Sequence, residues 1–88
     1  MRDYPKGVSR VYDNGGTTWD RYTVYYSPKV AGRGPQGEHG YVGMSADPFH
    51  GFGQHGLGML GRHNGKLINF SDLPAECREL VSSDLKGE

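Results

Sequence analysis

The chain of 88 residues is poor in the side chains that ordinarily build a core. Leu, Ile, Val and Phe together number sixteen, about 18% of the chain, a level at which disorder becomes a concern. The net charge that accompanies disorder is missing, because ten basic residues balance ten acidic ones. There is a single cysteine, Cys77, which excludes an internal disulfide framework and any zinc cluster built on cysteine. No apolar run approaches the roughly 18 residues of a membrane span, so no membrane partner is expected. The first residues, Met1-Arg2-Asp3-Tyr4-Pro5-Lys6-Gly7, hold no apolar stretch and do not read as a signal peptide. Together these features point to the cytoplasm. A charge balance of zero gives no general attraction for a phosphate backbone, so non-specific nucleic-acid binding is disfavoured. It also does little to oppose self-association.

What is present is glycine, fifteen residues of it, and aromatic residues, which must carry much of the core. One core is affordable at this length, so residues 1–88 are expected to form a single small domain. Residues 1–8 read as a partly loose leader. Ser9-Arg10-Val11-Tyr12 suits a short strand, and Asp13-Asn14-Gly15-Gly16 a tight hairpin turn. Thr17 to Ser27, rich in Thr, Val, Tyr and Trp, reads as the main strand. One face of it carries Tyr22, Val24 and Tyr26, the better core face. The other carries Trp19, Arg21, Thr23 and Tyr25, a candidate working surface.

Ser27-Pro28 ends that strand, and residues 30–40 read as a Gly-rich loop. Tyr41-Val42-Gly43-Met44 forms a further short strand, Ser45 to Pro48 a turn, and Phe49 to Gly65 the least regular part. Lys66 to Phe70 suits a last short strand. Residues 74–86 form the one clear helix, with Leu73, Cys77, Leu80, Val81 and Leu85 on a single stripe. Ser71 or Asp72 is expected to cap it and Gly87 to end it. The fold expected is α+β: a small antiparallel sheet of three to four short strands with one C-terminal helix packed on a face. The sheet edges and the aromatic face leave a homodimer open.

Four groups of residues could carry chemistry. Asp47, His50 and His55, with His39 and His63 near in sequence, offer imidazole and carboxylate ligands suited to a transition metal. Their spacing matches no established ligand pattern, and loop histidines often serve only the backbone. Gly51-Phe52-Gly53-Gln54-His55-Gly56 satisfies G-x-G-x-x-G, yet a poor helix former follows where a phosphate loop needs a helix. Asp13 and Asp20 flank the hairpin. The simpler reading gives Asp13 to the turn backbone and Asp20 to Arg21 or a neighbouring strand. Finally, Trp19, Arg21 and Tyr25, joined by Phe49, Phe52, Gln54 and His55 of the irregular segment, could form a binding surface. With Arg10 and Arg33 near, the aromatics could instead stack single-stranded nucleic acid. Cys77, on the apolar stripe, reads as an inert thiol, and no G-x-S-x-G occurs.

The ordered set Asp13-Asn14-Gly15-Gly16, Asp20-Arg21-Tyr22-Thr23-Val24, Gly43-Met44-Ser45 with Pro48, Gly51-Phe52-Gly53-Gln54-His55 and Phe70-Ser71-Asp72-Leu73-Pro74 resembles a group of small uncharacterised proteins of bacteriophages and prophages. The resemblance implies an accessory protein working in a host cytoplasm. It carries over no activity and assigns no catalytic residue. The favoured expectation is therefore a non-enzymatic protein, without a cofactor, that binds a host or defence protein. The alternatives are a metal or ligand site on Asp47, His50 and His55, and single-stranded nucleic-acid binding through the aromatic and arginine face.

Overall fold

A computed structural model describes residues 2–45 and 53–86. It is α+β, as the sequence implies, but the antiparallel sheet has five strands rather than three or four. β1 (Val8–Asp13), β2 (Tyr22–Tyr26), β3 (His39–Met44), β4 (Gln54–Gly58) and β5 (Lys66–Leu67) lie in the order β4-β3-β2-β1-β5. A one-turn helix, α1 (Pro28–Ala31), follows β2 in place of expected loop, with Pro28 in its first turn. The C-terminal helix, α2 (Ala75–Leu85), lies where the apolar stripe placed it.

The register explains which side chains meet. Val11, Val24 and Val42 are directly opposed across three strands, and His55 of β4 continues their row. Side chains alternate along a strand, so this row and the neighbouring Tyr22 and Met44 share one face. α2 covers that face with Cys77 and Val81, joined by Leu73 just ahead of the helix, all of them buried. Leu80 and Leu85 pack on the same cluster from its edge. Each buried aliphatic side chain there contributes about 1.5–3 kcal/mol of transfer free energy. Tyr22, Val24 and Tyr26 take the core face expected of them.

The opposite face carries Tyr12, Tyr25 and Tyr41. Tyr25 meets Tyr12 edge-on at 5.8 Å between ring centroids and Tyr41 at 5.3 Å. The extra strand, β4, comes from the Gly-rich stretch that reads as irregular. A Cβ on Gly56 would stand 2.9 Å from the Tyr41 hydroxyl, and one on Gly58 at 2.9 Å from that of Tyr25. Glycine on this face of β4 makes room for two rings that a side chain at either position would strike.

Other boundaries move for local reasons. The main strand starts at Tyr22 rather than Thr17, because residues 14–21 form a longer turn closed by the Asn14 N–H on the Arg21 carbonyl at 2.9 Å. The last strand stops at Leu67, and residues 70–72 form a 3-10 turn. Neither Ser71 nor Asp72 caps α2, whose N-cap is Pro74. Asp72 instead accepts the Asn69 N–H at 3.0 Å. Gly87 lies outside the described residues. The leader, expected to be partly loose, is tied across the chain. The Asp3 carboxylate accepts the N–H groups of Phe70 and Ser71 at 2.6 and 3.0 Å, and the Tyr4 hydroxyl donates to the Ile68 carbonyl.

Candidate functional site: the Trp19 loop and the cleft beside it

Residues 13–21 are held by their own side chains. The Asp13 carboxylate accepts the Gly15 N–H at 2.7 Å and takes the Arg21 guanidinium through two bonds, 2.8 and 3.1 Å. The Arg21 bonds hold the Asp13 carboxyl below its ordinary range, and Asp13 raises Arg21 in return. The Arg21 guanidinium also lies 5.2 Å from the centroid of the Tyr22 ring. The Asn14 side chain accepts the N–H groups of Gly16 and Thr17 and donates to Thr18 Oγ1 and the Asp20 carbonyl. Asn and Asp side chains that bond the backbone ahead of them fix a turn without a regular ladder.

This fixed loop presents Trp19, which is 86% exposed. Trp19 stands in this turn and not on the face of a regular strand. Tyr25 is only 1% exposed, which corrects its place on the working surface. The reason is the segment after β4, which folds back over the tyrosine face. The Tyr25 hydroxyl has two acceptors within reach, the Met59 carbonyl at 3.1 Å and Asn64 Oδ1 at 3.0 Å. Burial pushes the Tyr25 phenol pKa up. Arg21, given to Asp20 as one reading, pairs with Asp13 instead. Asp20 and Arg21 leave the loop in different directions, which is why adjacency in sequence does not make them partners.

Between the loop and the segment after β4 lies a cleft of about 340 Å³. Thr18 and Asp20, on either side of Trp19 in the chain, line one wall, and His63 and Asn64 the other. Tyr25, Tyr41 and Gly43 contribute to its floor. The Asp20 carboxylate lies over Gly43, where a Cβ would stand 3.2 Å from Oδ2. No residue pattern in the sequence marks this cleft. Its walls come from segments some forty positions apart, and Asn64 and His63 sit in a stretch that reads as unstructured.

His55 is placed on the helix face, at the end of the valine row. Its Nε2 lies 2.8 Å from Asp84 Oδ2 of α2. The same oxygen accepts the Tyr26 hydroxyl at 2.6 Å. Burial, then the Asp84 carboxylate, raises the Tyr26 phenol pKa far above its ordinary value. An oriented histidine with a carboxylate behind it is half of a general-base arrangement. Among the described residues no serine, threonine or cysteine hydrogen-bonds that ring. Cys77 is buried, and burial pushes its thiol up to about 11, which suits the inert role expected of it.

Of the other expected site residues, Gln54 is exposed on β4. Asp47, His50, Phe49 and Phe52 lie outside the described residues. Among the described residues no group of three His, Cys, Asp or Glu side chains is placed to hold a metal ion. The G-x-G-x-x-G match runs into a strand at Gln54–Gly58 and not into a helix, so its described part lacks the phosphate-loop setting. Among the described residues no helix is long and apolar enough to cross a membrane. No protein family, curated protein or solved structure matches the chain.

Proposed function

We propose that the chain is a non-enzymatic protein-binding module anchored by Trp19, and that its partner is a host or defence protein. One observation carries this reading: the only tryptophan is 86% exposed on a loop held by seven side-chain hydrogen bonds of Asp13 and Asn14, four of them to the backbone. An exposed indole adds nothing to this chain's own packing. Buried against a partner, it supplies a large apolar area with little conformational entropy to lose. The resemblance to small phage proteins supports the choice of partner. The single-stranded nucleic-acid alternative loses ground, because Tyr25 is buried and Arg21 is engaged by Asp13.

The test is capture of the tagged protein's partner from bacterial lysate, its identification by mass spectrometry, and titration of the purified pair. Trp19→Ala is expected to weaken binding by roughly 30-fold or more, as central anchors do. A captured partner that binds Trp19→Ala as tightly as the parent chain removes the reading.

A further inference from the structure

Resting on that protein-binding reading, we infer that the cleft beside Trp19 receives a basic side chain of the partner, with the Asp20 carboxylate as its counter-charge.

Both amide side chains lining the cleft and the Thr18 hydroxyl are already spent inside the chain. Asn14 uses its Nδ2 on Thr18 and the Asp20 carbonyl, and its Oδ1 on two backbone N–H groups. Asn64 donates its Nδ2 to the carbonyls of Met59 and Gly61 and lies within reach of the Tyr25 hydroxyl. The Thr18 hydroxyl accepts from Asn14 and donates to the Asp20 carbonyl. The Asp20 carboxylate forms no hydrogen bond or ion pair among the described residues.

Among the described residues that line the cleft, Asp20 is the only carboxylate and none is Lys or Arg. An ionised carboxylate only accepts, so the vacancy it leaves is for a donor. It lies over Gly43, partly withdrawn from water, in a cleft that the Tyr41 ring also lines. A guanidinium or ammonium group meets both demands: it donates to the carboxylate and is attracted to an aromatic ring. A neutral polyol would find the amide groups occupied. Because Thr18 and Asp20 flank Trp19, a partner segment laid on the indole brings its next side chain to the cleft.

The test uses N-acetyl-arginine amide as the probe and N-acetyl-citrulline amide, of the same shape but uncharged, as its control. Backbone amide shifts of Thr18, Gly43 and Gly58 are followed in the full chain by nuclear magnetic resonance. The expected result is saturable shifts with the arginine probe, none with the citrulline control, and at least about five-fold weaker binding in Asp20→Asn. Equal responses to the two amides, no saturable shift, or no change in Asp20→Asn overturns the inference. This arm needs no partner, so it can fail while Trp19→Ala still abolishes capture. The captured partner is then titrated against Asp20→Asn. Weaker binding supports the inference. Unchanged binding beside positive amide shifts means that the cleft takes a free cation, and the partner's side chain is ruled out.

Discussion

The Tyr26 hydroxyl is the most consequential polar group in the core, and its removal has a calculable effect. Tyr26 is 3% exposed and donates at 2.6 Å to Asp84 Oδ2, on a side chain that is 17% exposed. A hydrogen bond to a charged acceptor contributes about 1.5–3 kcal/mol net. In Tyr26→Phe the carboxylate keeps His55 and some water, so the loss falls in the lower part of that range, about 1.5–2 kcal/mol. For a domain of this size the melting temperature drops by roughly 6–16 °C. Asp84→Ala costs more, about 2–4 kcal/mol, because it leaves the phenol buried without an acceptor and unpins β4 from α2. Thermal and urea unfolding followed by far-ultraviolet circular dichroism measures both. Trp19 fluorescence is a poor probe here, since the indole is already 86% exposed in the folded state. A double-mutant cycle with His55→Gln adds a sharper criterion. The two bonds share one oxygen, so the effects should depart from additivity by at least about 0.5 kcal/mol. A Tyr26→Phe change below about 0.5 kcal/mol, or Asp84→Ala no worse than Tyr26→Phe, refutes the reasoning.

Two further outcomes follow from the same structure. Stability should fall at both ends of the pH scale. The folded-state pKa of Tyr26 lies above its ordinary 10.0, so its contribution is complete below that pH and is lost as pH rises beyond it. Asp13 is shifted the other way, below 3.8, so its contribution is present above that value and is lost as pH falls. Urea midpoints across pH, with Tyr26→Phe flattening the alkaline limb and Asp13→Asn the acid one, check both; unchanged limbs in the variants sink the assignment. Gly65→Ala should destabilise by at least about 2 kcal/mol more than Gly15→Ala. Gly65 combines φ +113° with a Cβ position that strikes the Asp13 carbonyl oxygen and stands 2.6 Å from Asn14 Cα, whereas nothing lies within 4 Å at Gly15. Equal urea midpoints for the two variants would contradict the backbone approach.

The helix stripe and the core face of β2 were legible because each is a local period that one layer of packing satisfies. Leu73, Cys77 and Val81 fall at steps of four, and Tyr22, Val24 and Tyr26 at steps of two. β4 was not legible. Its glycines give room to rings at Tyr25 and Tyr41, which are far from Gly56 and Gly58 in the chain. Local propensity counts those glycines as breakers, and only the third dimension shows that they make room. Trp19 was recognisable as a surface candidate, but its neighbour Tyr25 shared the same alternation and is buried. Alternation assigns a face; it does not say whether another segment covers that face. The cleft was illegible for the same reason, because Asn64 and His63 reach it from a stretch with no period at all.

The loop that presents Trp19 contributes less to folding than its hydrogen-bond count suggests. The Asp13–Arg21 pair is partly exposed, at 20% and 40%, and such pairs are worth about 0–1 kcal/mol. The Asn14 bonds satisfy backbone groups that water would otherwise serve. What these bonds do instead is fix the path of residues 14–21, so that the indole and the Asp20 carboxylate keep a constant spacing in the free protein. Ordering a loop on binding costs affinity, and a loop already ordered avoids that cost. Arg21→Ala is then expected to change the melting temperature little while weakening a partner that engages both Trp19 and the cleft. The distinction separates presentation of a binding loop from support of the fold, and the sequence pair Asp13 and Arg21, eight positions apart, serves the first.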